Sequence, residues 1–510
     1  MNELDGKVKI LETYTVQTGD MKIETNILEN PKEFVQSYYV NFPSYGAGTS
    51  ALLANVKKKL VEETMTLERL DAKAVEKMRQ KFEERAGKIL TKELPKITDE
   101  TRKALTGILL YDMLGLGKIE LLLSDGNLEE IVINKSHEPI WVYHKKYGWL
   151  KTNIEIEREE DTENYANIIA RRIGKQITIL TPLLDAHLIT GDRANATLFP
   201  ISTKGNTITI RRFRRDPWTV TDFIKSNTVS SDLMALVWEA MEYELNIIIS
   251  GGTASGKTSL LNVCLPFIQP NHRIISIEDT RELMLPDFLH WVPMTTREPN
   301  PEGKGGISML DLLVNSLRMR PDRIIVGESR RREEAEVMFE AMHTGHSVYT
   351  TLHANTAEET ITRLTNPPLE IPISMLDTVH LNLVMFRNRR LGTRKVLEAA
   401  ELIPEKRGTQ LDIKPNILFR WRSSDDKIVP HNESIRFMDE LSLHTGLSIP
   451  EIKDEMLKKQ RALEWMVKYD VHNITDVGRI MAEYYKDSDE VMEFVEKDKK
   501  PDFEKHESEG

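Results

Sequence analysis

Cysteine is almost absent from this chain: among 510 residues, only Cys264 carries a thiol. A single cysteine excludes an intrachain disulfide and any zinc knuckle built from several cysteines. Cys264 lies within the apolar run LLNVCLPF, which predicts a small buried side chain. The composition therefore fits a reducing compartment.

Long apolar runs are also missing. No stretch approaches the roughly 18 consecutive apolar residues of a membrane-spanning helix, and the N-terminal MNELDGKVKI has no apolar segment behind basic residues. We therefore expect that any membrane association runs through partners. Acidic residues outnumber basic ones by 80 to 69, giving a net charge of -11. This balance argues against direct binding of nucleic acid.

Changes in local composition and hydrophobic pattern along the chain predict five segments. Residues 54–90 are charged with a roughly helical period, which suits either a solvated surface or a docking module. After Ser230 strands and helices alternate, which predicts a parallel sheet covered on both faces. The segments are a helical N-terminal region (1–99), an α/β domain (100–216), a linker (217–229), the alternating α/β domain (230–405) and a mixed, then helical, extension with a charged tail (406–510).

A glycine-rich motif indicates nucleotide binding. GGTASGKT, residues 251–258, matches G-x-x-x-x-G-K-[ST] and stands between a predicted strand and a predicted helix. In such a loop, backbone N–H groups surround phosphate oxygens, Lys257 reaches the β- and γ-phosphates, and the Thr258 hydroxyl binds Mg²⁺. The motif therefore predicts a nucleoside triphosphate, such as ATP, and Mg²⁺ as ligands, and it would serve a kinase, a GTPase or a motor equally well. The predicted nucleotide-binding residues are Gly252, Thr253, Ala254, Ser255, Gly256, Lys257, Thr258 and Ser259.

Carboxylates end two of the later predicted strands. RIISIED ends in Glu278 and Asp279, and RIIVGES carries Glu328. The carboxyl ends of parallel strands face the ligand crevice, so a carboxylate there can orient or deprotonate the water that attacks the γ-phosphate. For Asp279, a helix-capping role is an equally good interpretation.

These motifs together resemble the secretion superfamily ATPases of type II secretion, type IV pili and the archaellum. The resemblance rests on GGTASGKTS, SIEDTRE, RPDRIIVGESR and TGHSVYTTLHANTAEETITRL, and it extends to GLGKIELLLSDGNLEEIVIN and PLLDAHLITGDRANATLFP. It covers about residues 100 to 405. It implies a RecA-like P-loop ATPase core preceded by an α/β, PAS-like N-terminal domain and a helical N-terminal extension. One departure is Gly327, which stands where a Walker B strand usually ends in an acidic residue.

The family's functional residues can be assigned to matching positions. The resemblance implies that Lys257 is the Walker A lysine, Glu278 the acidic-box glutamate, and Glu328 the Walker B glutamate, which holds Mg²⁺ through water. It also implies that His353 is the histidine-box residue. Arginines of the preceding domain would complete the site, and the matching candidates are Arg193, Arg211 and Arg212. A solvated basic edge strand is the alternative interpretation of these arginines.

The resemblance also implies a function. A homohexameric ATPase would power the assembly or secretion of pilin-like or archaellin subunits through a polytopic membrane platform protein. RRDPWTVTDFIKSNT would act as the hinge between its domains, because few apolar residues there would hold it in place. The single cysteine rules out the four-cysteine insert common in bacterial members. The histidine-rich segment and the charged N-terminal helices resemble the archaeal branch more closely, and a conjugation or type IV secretion ATPase is a further relative. A nucleic-acid-translocating RecA-like motor is the alternative from another class, and a nucleotide-responsive scaffold without turnover is a third.

Three histidines stand close together in AMHTGHSVYTTLHANT. His343 and His346 flank a predicted helix-to-strand turn, while His353 closes the predicted strand. No cysteine or carboxylate stands at ligand spacing to complete a zinc site. We therefore expect His353 to respond to bound nucleotide and the other two to hold no metal.

Overall fold

The computed structural model describes residues 8–18, 21–41, 47–63, 72–95, 97–188, 191–212, 217–299, 303–388, 390–407 and 410–500. The chain divides into two compact units, residues 1–214 and 215–510. Within the described ranges, no helix combines the length and apolar character needed to cross a bilayer.

In its described residues, the first unit combines one sheet with five helices. Its strands are β1 (Lys9–Thr18), β2 (Met21–Glu29), β3 (Ser37–Val40), β4 (Leu128–Ile133), β5 (Pro139–His144), β6 (Gly148–Glu155), β7 (Leu183–His187), β8 (Arg193–Thr197) and β9 (Thr207–Arg211). Its helices are α1 (Ala47–Glu63), α2 (Ala72–Glu93), α3 (Asp99–Leu114), α4 (Ile119–Ser124) and α5 (Glu159–Arg172). The strand order is β1-β2-β3-β6-β5-β4-β9-β8-β7.

The prediction of a helical region over residues 1–99 is wrong for its first part. β1, β2 and β3 precede the helices, and β3 pairs with β6, so the predicted boundary at residue 100 cuts through one sheet. The period-2 signal of β1 is broken by a bulge between Ile10 and Glu12, because an inserted residue moves the following side chains to the opposite face. α1, α2 and α3 do form a helical group with its own apolar core.

The second unit is also built on one sheet. Its strands are β10 (Ile247–Gly251), β11 (Ile274–Glu278), β12 (Trp291–Thr295), β13 (Arg323–Val326), β14 (Ser347–Leu352), β15 (Leu381–Asn388), β16 (Thr393–Arg407), β17 (Gln410–Arg422) and β18 (Lys427–Pro430). Its helices are α6 (Val220–Lys225), α7 (Ser231–Glu242), α8 (Lys257–Cys264), α9 (Met309–Ser316), α10 (Arg332–His343), α11 (Ala357–Thr365), α12 (Phe437–Thr445), α13 (Ile449–Lys468), α14 (Ile474–Lys486) and α15 (Ser488–Glu496).

The sheet of the second unit has the order β12-β11-β13-β14-β10-β15-β16-β17-β18. Pairing is parallel from β12 to β15 and antiparallel beyond it. Every residue of β10, β11, β13 and β14 is buried, as their continuous apolar runs predict for strands covered on both faces. The predicted α/β, RecA-like core is confirmed, and the carboxyl ends of these four strands meet at one edge.

The predicted linker 217–229 is folded into the second unit. Thr219 caps α6 in a reciprocal capping box with Asp222, and the side chains of Val220 and Phe223 are buried in the main apolar core of this unit. The prediction that few apolar residues hold this segment in place is therefore wrong. Two apolar side chains one helical turn apart suffice to anchor a short capped helix.

The C-terminal part of the chain belongs to the same unit as the parallel strands. β17 and β18 continue the sheet past residue 405, and side chains of α13 and α14 share one core with α8. Lys459 of α13 is buried and bonded to Glu239 and Glu242 of α7. Beside it, Trp238 stacks on Phe267 with ring centres 5.4 Å apart.

Candidate functional site

The glycine-rich loop joins β10 to α8. Gly251 has φ +152°, and a Cβ built there would lie 2.5 Å from Ser255 Oγ and 2.6 Å from the carbonyl oxygen of Met385, so only glycine fits. Ala254 has φ +58°, and its carbonyl accepts a hydrogen bond from Arg394 Nε at 3.1 Å. The loop therefore turns tightly enough to expose backbone N–H groups at the start of α8, as a phosphate site requires.

A chain of polar contacts leads from this loop to the neighbouring strand ends. Lys257 Nζ donates to the carbonyl oxygens of Gly251 at 2.9 Å and Gly252 at 3.1 Å, and it lies 3.4 Å from His353 Nδ1. His353 Nε2 lies 3.1 Å from Glu328 Oε1. The side chains of three predicted catalytic residues, Lys257, His353 and Glu328, thus contact one another in turn at the carboxyl edge of the sheet.

Burial and charge act on these groups together. Burial lowers the pKa of Lys257, against the opposing effect of the Glu328 carboxylate. Burial also lowers the pKa of His353, and the positive charge of Lys257 acts in the same direction. A neutral imidazole beside an ammonium can accept or donate a hydrogen bond without adding charge to the site.

Glu278 ends β11 at the same edge but contacts none of the other predicted catalytic residues. Its Oε1 accepts hydrogen bonds from the backbone N–H groups of Glu282 at 2.8 Å and Leu283 at 3.1 Å. Its Oε2 is buried and has no hydrogen-bond partner among the described residues. Burial raises the pKa of Glu278 to about 7, although the two backbone N–H groups oppose the shift.

Gly327 lies beside this buried carboxylate. A Cβ at Gly327 would lie 3.4 Å from Glu278 Cγ, which is ordinary van der Waals contact. The predicted Walker B carboxylate is one residue further on, at Glu328. Its Oε2 accepts two hydrogen bonds from Arg330, from Nε at 3.0 Å and Nη2 at 2.8 Å.

The three predicted arginines lie in the first unit. Arg193 of β8 is opposite Arg211 of β9, and its guanidinium binds Asp185 through two hydrogen bonds of 3.1 and 2.6 Å. Arg211 is exposed. Arg212 donates to the backbone carbonyl oxygens of Asp125 and Leu128, which is a structural role within its own unit. Their assignment to a phosphate site stays a prediction.

The three clustered histidines are separated by the strand they flank. His343 ends α10, as predicted, and His346 precedes β14 while His353 follows it. At about 3.3 Å per residue, the two ends of this strand lie roughly 20 Å apart. Among the described residues, no group of three or more His, Cys, Asp or Glu side chains is placed to hold a metal ion.

Orphaned polar atoms fit the predicted nucleotide site. Ser255 Oγ is buried beneath the loop without a hydrogen-bond partner among the described residues, and Lys257 Nζ is bonded to carbonyl oxygens instead of a counter-charge. Thr258, the second residue of α8, is half-buried. Hydroxyl and carboxylate oxygens are the ligands that Mg²⁺ prefers, so Thr258 and Glu328 form a donor set of the right chemistry.

Sequence comparisons show the family of this chain. The family model for the type II/IV secretion system protein matches residues 192–390. An uncharacterized protein of Methanocaldococcus jannaschii is 35% identical over 407 residues, which cover 78% of this chain and 73% of that protein. The conjugal transfer protein TrbB of Rhizobium radiobacter is 32% identical over 259 residues, covering 50% of this chain and 76% of that protein. The chain belongs to the type II/IV secretion ATPase family.

One solved structure is similar to this chain over much of its length. The pilus retraction motor PilT with bound ADP is 19% identical, with a TM-score of 0.42, over 71% of this chain and 95% of PilT.

Two functional groups of this secretion ATPase were not among the predicted residues. Arg330 binds the predicted Walker B carboxylate, and Arg394 fixes the carbonyl of Ala254 in the glycine-rich loop. The run Arg330 to Arg332 directly after a strand-end glutamate could have indicated the first. Arg394 lies on β16, more than 130 residues along the chain from the loop it contacts, and no local pattern could have indicated it.

Proposed function

We propose that this chain hydrolyses ATP as a homohexameric motor at the cytoplasmic face of the cell membrane. Its work would be the assembly or secretion of pilin-like or archaellin subunits through a polytopic membrane platform protein. The observation that carries the proposal is the contact chain from Lys257 through His353 to Glu328 beside a closed glycine-rich loop. Membership of the secretion ATPase family supports it.

Each side chain has a proposed role that follows from its position. Glu328 orients the attacking water and accepts its proton, which requires that its bonds to Arg330 and His353 rearrange. Lys257 leaves the carbonyl oxygens of Gly251 and Gly252 to neutralise phosphate charge. Mg²⁺ held by Thr258 and, through water, by Glu328 would supply further neutralisation of that charge.

The first unit would complete the site in a ring. Arg193 and Arg211 are cross-strand neighbours, and a guanidinium from a neighbouring subunit can stabilise charge that develops on the γ-phosphate. Arg211 carries this role better than Arg212, because the Arg212 guanidinium is bonded to backbone oxygens of its own unit.

The test of the catalytic assignment compares two isosteric substitutions. Glu328→Gln keeps shape but removes the base, so it should retain ATP binding and lose turnover. The matched control is Glu340→Gln, on the exposed Glu340 of α10, which should leave both unchanged. Equal loss of ATP affinity and turnover in Glu328→Gln would contradict the assigned role.

The ring is tested separately. Light scattering with a non-hydrolysable ATP analogue, well above micromolar protein, should show a hexamer, and Arg211→Gln should reduce turnover without reducing ATP affinity. A monomer under these conditions would rule out a site shared between subunits.

A nucleic-acid-translocating motor is the second candidate, favoured by the relative named as a conjugal transfer protein. The net charge of -11 opposes it. Stimulation of ATP hydrolysis by single- or double-stranded DNA would favour this candidate, whereas stimulation by vesicles carrying a membrane platform protein would favour secretion.

A further inference from the structure

A cleft of about 320 Å³ opens beside the predicted catalytic glutamate. Its polar lining comes from Glu328, Ser329, Arg330, His353 and Arg363, and Leu352 and Leu369 contribute to its apolar wall. The first three of these residues follow β13, Leu352 ends β14, and His353 follows it. Arg363 belongs to α11, and Leu369 lies in the segment after that helix. The glycine-rich loop does not line the cleft. Lys257 contacts one nitrogen of His353 and Glu328 the other, so the imidazole stands between Lys257 and the carboxylate that borders the cleft.

The cleft has an excess of hydrogen-bond donors and positive charge. Both oxygens of Glu328, its one acidic side chain, are already bonded to Arg330 and His353. The guanidinium of Arg363, an exposed residue in the last turn of α11, forms no ion pair or hydrogen bond among the described residues. Two guanidinium groups beside one carboxylate that is already paired leave the cleft with net positive charge, which favours an anion there.

A buried hydroxyl points to the same conclusion independently. Ser329 is 5% exposed, lines the cleft, and its Oγ has no hydrogen-bond partner among the described residues. Leaving a buried hydroxyl unpaired is unfavourable. A ligand that accepts hydrogen bonds within the cleft would satisfy it.

We propose that this cleft binds inorganic phosphate, the anion that ATP hydrolysis releases beside Glu328. The inference rests on the proposed ATPase function and adds a separate site for one product. Guanidinium groups suit tetrahedral phosphate because their N–H donors form a planar fork, and the Ser329 hydroxyl supplies a further donor. Phosphate in this cleft is separated from ADP in the glycine-rich loop, so the two products leave by different routes.

The direct test measures binding of radiolabelled inorganic phosphate to the full chain by equilibrium dialysis, with ADP at saturation to occupy the glycine-rich loop. Ser329→Ala and Arg363→Gln should each weaken phosphate binding about tenfold, as expected for loss of one hydrogen bond to a charged group. The control Arg461→Gln, on an exposed arginine of α13, should leave the affinity unchanged. Equal affinity in all four proteins, or no phosphate binding once ADP is saturating, would overturn the proposal.

Folding of the variants is verified independently. Because the Ser329 hydroxyl has no partner, Ser329→Ala should leave the Tm unchanged or raise it. A Tm that falls by several degrees would show that the hydroxyl is bonded within the fold, and it would overturn the argument from Ser329.

A kinetic test separates this proposal from the proposed function. Added phosphate should inhibit ATP hydrolysis, and Arg363→Gln should raise its inhibition constant about tenfold while the inhibition constant of ADP stays the same. If the wild-type chain hydrolyses no ATP, the proposed function is wrong, and no phosphate is released beside the cleft. If hydrolysis proceeds but Arg363→Gln shifts the ADP and phosphate constants equally, the phosphate site alone is refuted.

Discussion

The second unit contains two groups of one lysine and two glutamates, and they are arranged in opposite ways. Lys459 lies between helices α7 and α13 and is bonded to both Glu239 and Glu242. Lys257 has Glu328 and Glu278 at neighbouring strand ends, yet it bonds to neither and donates to backbone carbonyl oxygens instead. The first group is closed, because its lysine is bonded to both glutamates. The second group is open, because its lysine is bonded to neither glutamate and the lysine charge is available to a ligand.

The difference shows how a fold separates structural from functional charge. In the closed group, each ion has its counter-ion, and removal of one partner leaves a buried charge uncompensated. In the open group, Lys257 is bonded to backbone carbonyl oxygens, so removal of its side chain leaves no carboxylate without a bonded counter-ion. The two lysines should therefore respond to the same substitution in opposite ways.

The largest expected effect is on folding. Lys459→Ala should lower the free energy of unfolding by about 3–5 kcal/mol, because the buried Glu239 and the half-buried Glu242 remain without a counter-ion. Urea unfolding followed by circular dichroism measures this change. Lys453→Ala on the same helix is the control, since Lys453 and its partner Glu433 are exposed, and it should change stability by less than about 0.5 kcal/mol. Similar losses from the two substitutions would contradict the comparison.

The second effect is on catalysis. Lys257→Ala should reduce ATP hydrolysis by roughly 10²–10³-fold, the usual result of removing one preorganised donor to a developing charge, while unfolding stability stays within about 1 kcal/mol. Phosphate release and urea unfolding on the same preparation measure both quantities. Normal turnover, or a loss of stability comparable to that of Lys459→Ala, would remove the distinction between the two lysines.

The third effect concerns pH. The pKa of Glu278 is about 7 in the folded chain, whereas the ordinary value for a glutamate is 4.5. The folded state therefore binds the Glu278 proton more tightly than the unfolded state does. The stability contributed by this protonated group is present below pH 4.5 and is lost as the pH rises through 7.

Glu278→Gln tests this dependence. In the wild type, the free energy of unfolding should fall by roughly 3 kcal/mol between pH 4.5 and pH 8, because Glu278 loses its proton. The variant should not show this loss. Wild type and variant are compared by urea unfolding at pH 5 and pH 8, with Glu282→Gln as the control. An identical pH dependence in wild type and Glu278→Gln would contradict the buried environment of this carboxylate.

The smallest expected effect is at His353. His353→Ala should lower ATP turnover by about tenfold or more, because positioned acid–base groups typically contribute about 10²-fold or more to the rate. His346→Ala should leave turnover unchanged. Elemental analysis of the purified protein should show no stoichiometric zinc. Zinc lost on substitution of His343 or His346 would contradict the interpretation of these histidines.

The strand ends of the second unit were easier to predict from the sequence than the domain boundaries, and the reason is physical. β10, β11, β13 and β14 are buried on both faces, so their apolar runs are continuous and the residue ending each run is evident. The glycine-rich loop needs glycine at Gly251 for steric reasons, which makes its pattern local. β1 and α6 were not predicted because a bulge interrupts one pattern and a short capped helix carries few apolar residues in the other. Contacts such as Arg394 with Ala254 depend on side-chain direction across the sheet, which no local pattern encodes.

The shared core of the second unit has a consequence for dissecting the chain. α8, which begins at the nucleotide loop, packs in the same apolar cluster as α13 and α14, and Tyr485 of α14 bonds to both Trp238 and the backbone of Phe267. Truncation at residue 405 would expose that cluster and cut the sheet at β16. A minimal catalytic fragment therefore has to retain the chain through α14, and limited proteolysis should release no stable fragment that ends near residue 405.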